Sequence, residues 1–296
     1  MSGLDPARPA TYDRAFALGT ALNGGFVVIE AVAGVVAGST ALLADAAHNF
    51  SDVLGLLLAW GASRLARRPR SARRTYGWRS SSILAALLNA ILLLVVTGGV
   101  AWEAIRRFWS PATVGGGVVA WVAFVGMAIN AATALLFLRG REGDLNVRGA
   151  FLHLAADAAV SAGVVLAGLA ILATGRTWID PLTTLVIAVV ILGSTWGLLR
   201  QSVNLALHAV PEWIDPAAVE AYLAALPGVT AVHDLHIWAM STTETALTAH
   251  LVKRDAHDDD AIMAEATRVL HDRFGIHHTT LQWERGAGAC CPRLPV

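Results

Sequence analysis

The sequence has little charge and almost no cysteine. Asp, Glu, Lys and Arg make up 15% of the 296 residues, whereas soluble domains carry roughly 25% charged residues, so an ordinary soluble protein is excluded. The only cysteines, Cys290 and Cys291, are adjacent near the C terminus. They provide no disulfide framework and fit a cytosolic tail. Charged residues and prolines are spread through residues 1–14, which therefore lack the apolar core of a cleavable signal peptide.

Two motifs that would indicate other chemistry are also missing. No His-Glu-x-x-His pattern of a zinc protease occurs, and the glycine run at 115–117 lacks the following Lys-Ser/Thr of a phosphate-binding loop. The glycine pairs Gly24–Gly25 and Gly98–Gly99 are instead predicted to be close contacts between membrane helices. Lys253 is the only lysine in an Ala-, Arg- and Val-rich chain, a composition that hints at a GC-rich bacterial source and hence a plasma membrane.

Long apolar stretches dominate what the sequence does contain. Hydrophobic residues make up 55% of the chain and the mean hydropathy is +0.56, and a membrane-spanning helix needs ~20 mostly apolar residues. We predict six spans. The sixth starts with Asp180 as its cap and Pro181 in its first turn. The spans cover roughly residues 14–38, 40–65, 80–108, the stretch from the glycine run to 138, 146–173 and 180–207.

The arginines indicate how these spans are oriented. Loops on the cytoplasmic side of a membrane protein carry an excess of Lys and Arg. An even number of spans places both termini on the same side as the Arg-rich loops, so we expect both to be cytoplasmic. The arginines concerned are Arg67, Arg68, Arg70, Arg73, Arg74 and Arg79 between spans two and three, and Arg139, Arg141 and Arg148 between spans four and five.

One pattern occurs twice within the predicted spans: His48 precedes Asp52 by four residues, and His153 precedes Asp157 by four. Residues four apart share a helix face, so each pair presents an imidazole and a carboxylate in one direction. Ionisable groups are costly in a bilayer unless they are paired or functional. Together the pairs offer two nitrogens and two oxygens, a ligand shell suited to Zn²⁺ or another first-row divalent metal.

Metal ions and protons compete for such side chains, because imidazole and carboxylate bind metal only when deprotonated. Histidine ordinarily titrates near neutral pH, which makes it a good proton carrier. The repeated pattern therefore predicts an exchange of metal for protons. The alternative is that each pair is an intrahelical hydrogen bond that eases insertion into the membrane.

Three more polar residues lie within the predicted spans. Asp45, one turn before His48, is either a carboxylate at the helix start or pore mouth, or an outer-side metal or proton relay. Asn23 either forms a hydrogen bond between two helices or contacts the metal ligands without binding the ion itself. Glu30 is either a paired or interfacial carboxylate, or part of a proton pathway.

After Pro211 the sequence changes character, and acidic residues outnumber basic ones. We predict a helix over 215–226, strands over 231–240 and 245–252, a helix from the aspartates at 258–260 to about 274, and a strand over 279–284. This order predicts a small α+β layer. His233 and His250 each lie on a predicted strand, where they face one cleft together or are solvated surface imidazoles.

Several segments in combination resemble the cation diffusion facilitators, over about residues 15–284. They are Leu-Ala-Asp-Ala-Ala-His-Asn-Phe-Ser-Asp at 43–52, Arg-Thr-Tyr-Gly-Trp at 74–78, Ile-Leu-Ala-Ala-Leu-Leu-Asn at 83–89, the second His–Asp pair, and Val-His-Asp-Leu-His-Ile-Trp at 232–238.

The resemblance implies a six-helix α-helical membrane domain, a cytoplasmic ferredoxin-like (metallochaperone-like) α+β domain, a homodimer and divalent-metal/proton antiport. It implies a transport site at the two His–Asp pairs, a combination associated with zinc and often with tolerance of cadmium. It also implies regulatory cytoplasmic metal ligands. These match His233 and His250 and, more loosely, His257 and Glu284.

The chain departs from the family pattern in three places. The connection at 139–148 has no histidine, and the connection at 64–79 has neither His nor Asp, so loop metal sites found in other members are not expected. Ser82 stands where many members have Glu.

We therefore expect a transporter that exports Zn²⁺, with Cd²⁺ or other divalent metals as alternative cargo, in exchange for protons. It should be a homodimer in the inner (plasma) membrane, should bind no nucleic acid and should not be an enzyme. The alternatives are a metal-gated sensor or channel and an intramembrane metalloenzyme. The expected divisions are an N-terminal tail (1–13), a transport domain (14–208), an α+β domain (209–286) and a flexible tail (287–296).

Overall fold

The computed structural model describes residues 10–138, 145–255 and 257–286. The predictions made for the start of the N-terminal tail, for most of the connection at 139–148 and for Cys290 and Cys291 fall outside these residues. The chain divides into two compact units. One comprises Met1–Leu57 and Leu88–Gly197, and the other comprises Leu58–Leu87 and Leu198–Val296.

Six long helices confirm the predicted spans. Within the described residues, five of them, α2 to α6, are long and apolar enough to cross a membrane, and α1 contributes a shorter apolar stretch, Asn23–Ala37. The helices are α1 (Ala10–Ala37), α2 (Thr40–Ala66), α3 (Ser81–Trp109), α4 (Gly116–Phe137), α5 (Leu145–Thr174) and α6 (Ile179–Ala206).

The first unit buries a compact apolar core, with Leu42, Val119 and Val164 fully enclosed. Large apolar side chains also point outward, and Val36 is 78% exposed and Trp102 64% exposed. In water such a surface would be unfavourable, but it suits lipid, where only helices and closed barrels satisfy their backbone groups. The arrangement confirms a multi-pass membrane protein.

Glycine brings α4 and α5 together, although not at the predicted glycine pairs. A Cβ atom on Gly168 would lie 2.5 Å from the Ala120 backbone nitrogen, and one on Gly116 would lie 2.8 Å from the Gly168 oxygen. Such contacts need a residue without a side chain. Of the predicted glycine pairs, Gly24 faces Val53 on α2, 3.8 Å from where a Cβ atom would be, while a Cβ atom on Gly25, Gly98 or Gly99 would meet no described residue within 4 Å.

The second unit contains the predicted α+β layer. Its elements are α7 (Pro216–Ala224), β1 (Val229–Ala239), β2 (Thr245–Lys253), α8 (Asp259–Phe274) and β3 (His278–Glu284). The central strand, β2, pairs antiparallel with β1 and parallel with β3. Leu223, Leu247, Leu251, Leu270 and Ile276 form the fully buried centre of its core, and the order of elements confirms the predicted fold class.

The second unit also includes the connection between α2 and α3, which contacts the β1–β2 hairpin. Arg79 Nη1 lies 2.5 Å from Glu244 Oε2, and the Ser80 hydroxyl donates to the Met240 carbonyl at 3.2 Å. Ser82 accepts from the Thr242 amide at 3.1 Å. The serine at 82 therefore has a structural role in fixing the hairpin to the start of α3.

Candidate metal centre

The two His–Asp pairs meet between α2 and α5. His48 Nε2 lies 3.3 Å from Asp157 Oδ1 and 4.0 Å from Asp52 Oδ2. His153 Nε2 lies 3.4 Å from Asp52 Oδ2 and 3.6 Å from Asp157 Oδ2. Each helix contributes one imidazole and one carboxylate because residues four apart lie on the same face. We call these four side chains the membrane cluster.

These distances are close to those of a tetrahedral metal shell. Zinc bonds of ~2.0–2.1 Å imply ligand atoms separated by ~3.3 Å in a tetrahedron. His48, Asp52 and Asp157 offer ligand atoms that all lie within 4.8 Å of one another. His153 contacts both aspartates but is not part of this group, and its ring centroid lies 6.3 Å from that of His48. Three of the four side chains are therefore placed to hold one ion together, and His153 has to move toward His48 to join them.

Exposure differs across the membrane cluster. The side chains of Asp157 and His48 are 5% and 16% exposed, while those of Asp52 and His153 are 31% and 51% exposed. Asp52 and His153 are the members nearer the Arg-rich connections along α2 and α5. The cluster is therefore more accessible at that end and more enclosed at the other.

A layer of buried polar groups lies on the enclosed side. Asp45, which is fully buried, accepts from the Ser161 hydroxyl at 2.8 Å. Glu30, also fully buried, accepts from Asn49 Nδ2 at 3.1 Å. The other oxygens, Glu30 Oε1 and Asp45 Oδ1, are buried and accept from no donor group of the described residues, and the two carboxyls interact with each other. Glu30 is thus a paired carboxyl within the protein and not an interfacial one.

Asn23 is half-buried in α1, and no hydrogen bond joins it to the membrane cluster within the described residues. A different asparagine supports α2 instead. Asn89 on α3 accepts from the Ser51 hydroxyl at 3.4 Å, next to Asp52. Its amide nitrogen would lie 3.1 Å from a Cβ atom on Gly55, so the glycine lets α3 approach α2 one turn beyond the cluster.

Asp180 has a different role from the one predicted. Helix α6 begins one residue earlier, at Ile179, so Asp180 lies in its first turn and is not its cap. The carboxylate accepts hydrogen bonds from the Thr40 and Ala41 amides at the start of α2, at 2.7 Å and 3.3 Å. The local sequence fits either role, and only the approach of α2 to α6 decides between them.

A second cluster lies on one face of the C-terminal sheet. His233 and His250 are direct cross-strand partners on β1 and β2, and His250 pairs with Gln282 on β3. Glu284, two residues beyond Gln282, projects to the same face because side chains alternate along a strand. His250 Nδ1 lies 2.6 Å from Glu284 Oε1, and His233 Nε2 lies 2.9 Å from Glu284 Oε2. We call these three the sheet cluster.

Hydrogen bonds within the sheet cluster and an irregularity in β1 both affect its carboxylates. Hydrogen bonds from His250 and then His233 hold the pKa of Glu284 below its usual range. An irregularity in β1 between His233 and His236 places Asp234 in the left-handed region, with φ +54°. This conformation brings Asp234 Oδ2 to 3.8 Å from His250 Nε2, next to the cluster.

The structure does not bring His257 to the sheet cluster. The His257 side chain is 88% exposed, and its Nδ1 lies 3.5 Å from its neighbour Asp258. Asp234, by contrast, lies next to the cluster although the sequence pattern does not indicate it. It stands between two histidines in a predicted strand, and nothing in that pattern reveals the break in register that turns its carboxylate toward His250.

Comparison with known proteins agrees with this architecture. Residues 17–205 match the cation efflux transmembrane domain, and residues 211–286 match the cation efflux protein cytoplasmic domain. The second matched region holds the whole sheet cluster, and the first holds the whole membrane cluster.

Several bacterial proteins are similar along most of their length. The metal cation efflux system protein CzcD of Cupriavidus metallidurans is 37% identical over 277 residues, covering 93% of this chain and 88% of that protein. The zinc transporter ZitB of Escherichia coli is 38% identical over 265 residues, covering 89% and 84%. The cadmium, cobalt and zinc/H⁺-K⁺ antiporter of Bacillus subtilis is 32% identical over 271 residues, covering 89% and 86%.

A solved structure, the metal-bound C-terminal domain of the CzcD transporter from Cupriavidus metallidurans, also matches. It is 40% identical and covers 24% of this chain and 99% of that domain, with a TM-score of 0.22.

Proposed function

The chain belongs to the cation efflux family, the cation diffusion facilitators, and from this premise we propose that it exports Zn²⁺ from the cytoplasm in exchange for protons. Cd²⁺ and other divalent metals are alternative cargo. The family consists of transporters and not of enzymes, so no catalytic residue is assigned. The similar proteins are transporters of zinc, cadmium or cobalt by name, which supports a divalent metal as the substrate.

The membrane cluster is the observation that carries this proposal. Three potential ligands, His48, Asp52 and Asp157, have ligand atoms within 4.8 Å of one another, and His153 lies 3.4 Å and 3.6 Å from the two carboxylates. Two imidazoles and two carboxylates match the donor preferences of Zn²⁺, and the same set also accepts neighbouring first-row metals. In a bilayer, four ionisable groups at one depth are costly unless they serve such a site.

Proton exchange follows from the same ligands. Zn²⁺ binds deprotonated imidazole and carboxylate, so its arrival releases protons and proton loading weakens its binding. The more accessible members, Asp52 and His153, are the ones nearer along α2 and α5 to the Arg-rich connections, and an excess of arginine is typical of cytoplasmic loops. Metal therefore enters from the cytoplasm in this conformation, and a change that opens the enclosed end releases it outside.

The C-terminal domain has a separate role in this proposal. His233, His250 and Glu284 fit a metal ion, since their ligand atoms all lie within 4.8 Å of one another, with Asp234 or water as a fourth ligand. A bound Zn²⁺ would hold β1, β2 and β3 together and report cytoplasmic metal. We further propose a homodimer in the inner membrane with both termini cytoplasmic, as the family resemblance implies.

Transport into proteoliposomes tests the proposal. The purified protein is reconstituted with a zinc-sensitive dye inside and a pH gradient across the membrane. We expect Zn²⁺ flux that follows the proton gradient, accompanied by proton movement in the opposite direction. Asp157→Ala should lower the flux at least about 100-fold, because it removes a ligand and leaves two imidazoles with a single carboxylate.

The matched control is Asp272→Ala, the same change at an aspartate that is more than half exposed on α8. Its flux should equal that of the unmodified protein. Undiminished flux in Asp157→Ala would refute the metal assignment. A Zn²⁺ current that does not depend on the pH gradient would indicate a channel and would refute the exchange mechanism.

A further inference from the structure

A second buried carboxylate outside the membrane cluster holds the start of α2. Asp180 on α6 is completely buried. Its Oδ1 accepts from the Ser39 hydroxyl at 2.5 Å and from the Ala41 amide at 3.3 Å. Its Oδ2 accepts from both the amide and the hydroxyl of Thr40, each at 2.7 Å. Four donors of one helix end thus converge on a carboxylate from another helix.

Two further contacts extend this arrangement. Arg107 on α3 places Nη1 3.7 Å from Asp180 Oδ2 and also donates to the Gly38 carbonyl. The Thr40 and Thr184 hydroxyl oxygens are 2.8 Å apart, and Thr184 donates to the Asp180 backbone carbonyl. The start of α2 is therefore joined to α6 and to the end of α3. We call this set of contacts the α2 anchor.

The anchor supplies partners that the helix cannot supply itself. The first amides of a helix have no intrahelical acceptor, and a residue just before the helix normally satisfies one of them. Ser39 does so for the Leu42 amide, at 3.1 Å. The Thr40 and Ala41 amides depend on Asp180. In a buried site no water replaces a lost acceptor, so loss of Asp180 forces the start of α2 to move or to rearrange.

Movement of α2 matters because α2 holds half of the membrane cluster. His48 lies eight residues after Thr40, or ~12 Å along a helix that rises 1.5 Å per residue. Metal–ligand distances in protein sites agree with their standard values to within about 0.2 Å, so the ligand atoms have to be placed closely. A rigid helix transmits a shift at its start to the two ligands that it carries.

We propose that Asp180 is a positioning residue for the membrane cluster. It sets the axial position of α2 so that His48 and Asp52 face the ligands on α5, and it does not touch the ion. This inference rests on the proposed binding of metal at the membrane cluster. It assigns the carboxylate a mechanical role, which differs from a role as an additional ligand or a proton relay.

Zinc affinity of the full-length protein in detergent tests the inference without a transport assay. The background carries Cys290→Ser, Cys291→Ser, His233→Ala and His250→Ala, which removes the native thiols and the sheet cluster. His153→Ala in this background shows how much binding belongs to the membrane cluster. Asp180→Asn should weaken zinc binding by about 10- to 100-fold, the range seen when groups that orient metal ligands are removed.

A covalent substitute for the anchor separates positioning from the other roles. Thr40→Cys and Thr184→Cys are added to the Asp180→Asn protein, since hydroxyl oxygens 2.8 Å apart mark a place where two cysteines can bond. Oxidation should restore zinc affinity to within about threefold of the background protein, and reduction should remove the gain. A missing ligand or proton relay would not be replaced by a disulfide.

Arg107→Gln provides a milder variant in case Asp180→Asn folds poorly. It leaves the four donors that Asp180 accepts from in place and removes the charged neighbour together with its contact to the Gly38 carbonyl, so affinity should fall by less than in Asp180→Asn. A fall as large as that of Asp180→Asn would contradict the proposal, because it would make the Arg107 contacts and not those of Asp180 decisive.

Two further results would overturn the inference. One is an unchanged zinc affinity in Asp180→Asn, and the other is a disulfide between the two cysteines that forms but does not restore the affinity. Failure of the proposed function has a different signature, because His153→Ala would then bind zinc as tightly as the background protein.

Discussion

The membrane cluster and the sheet cluster use the same chemistry but are built by different kinds of contact. In the membrane, each helix supplies a His–Asp pair through its own 3.6-residue turn, and two helices need only face each other. In the C-terminal domain, three strands supply one ligand each, and the ligands meet through strand register. The two ligands that each helix supplies are four residues apart in the sequence, whereas the three ligands of the sheet cluster come from distant positions in the sequence.

Each cluster is enclosed at one member and open at another. Asp157 is 5% and His153 is 51% exposed in the membrane cluster, while Glu284 is 7% and His233 is 40% exposed in the sheet cluster. A partner lost at the enclosed end is not replaced by water, whereas the open end lets an ion approach. Exposure therefore does not distinguish the two clusters, and the roles proposed for them rest on the elements that carry them.

The largest expected difference concerns which metal is carried. His153→Asp replaces a nitrogen ligand with an oxygen ligand, and oxygen-rich shells favour harder ions such as Mn²⁺ over Zn²⁺. Zn²⁺ transport should fall by about tenfold or more, while relative transport of Mn²⁺ rises. Uptake of a panel of divalent metals by proteoliposomes measures this change.

The same substitution in the sheet cluster, His250→Asp, is the matched control. It should leave the order of transported metals unchanged and alter only how the rate responds to cytoplasmic zinc. An altered metal order in His250→Asp would mean that the C-terminal domain selects the cargo, and the division of roles between the clusters would be wrong.

The next largest effect concerns helix packing around the membrane cluster. Gly168→Ala places a methyl group 2.5 Å from the Ala120 nitrogen, so α4 and α5 must separate. Overpacking of this kind typically costs about 1–3 kcal/mol. The thermal unfolding temperature in detergent should fall, and zinc transport should fall with it because α5 carries two ligands.

Gly98→Ala makes the same chemical change at a helical glycine where a Cβ atom meets nothing within 4 Å. Its unfolding temperature should stay the same or rise slightly, since alanine favours helix more than glycine does. Equal destabilisation by both variants would contradict the assignment of the close contact to α4 and α5.

The smallest expected effect is a pH dependence in the C-terminal domain. Hydrogen bonds from Arg285, and then from the buried Lys253, hold the pKa of Asp259 below its usual range. A carboxyl with a lowered pKa adds stability that is present at neutral pH and is lost as the pH falls through its folded-state pKa. Asp259→Asn should therefore lower the unfolding temperature by a few degrees at pH 7.

At acid pH the difference between Asp259→Asn and the unmodified protein should shrink, since the unmodified carboxyl is then protonated too. Unfolding scans of the metal-free protein at several pH values follow this convergence. A difference that stays constant down to acid pH would show that Asp259 acts through packing and not through its charge.

Several features could be predicted from the sequence because they depend on neighbours along the chain. The apolar stretches gave the helices, the alternation of Val, Ile and Thr gave the strands, and the four-residue spacing of His48 and Asp52 placed both on one face. Other features depend on distant contacts. Glycines are frequent throughout, and only helix packing distinguishes Gly168 from Gly98. His257 matched the family ligands only loosely, and it lies beyond the end of β2 with its side chain 88% exposed, away from the sheet cluster.

The sequence by itself determined which residues span the membrane, in what order the C-terminal elements follow, and that two imidazoles and two carboxylates sit on single faces of two helices. Periodicity and composition reflect residues within one or two helical turns of one another, so they can be interpreted without knowledge of the tertiary structure. Only the tertiary structure decided that the two pairs face each other, that Asp234 turns toward His250, and that Asp180 binds the start of α2 and does not cap α6. Each of these depends on the distance between segments far apart in the chain, which packing sets and local sequence does not.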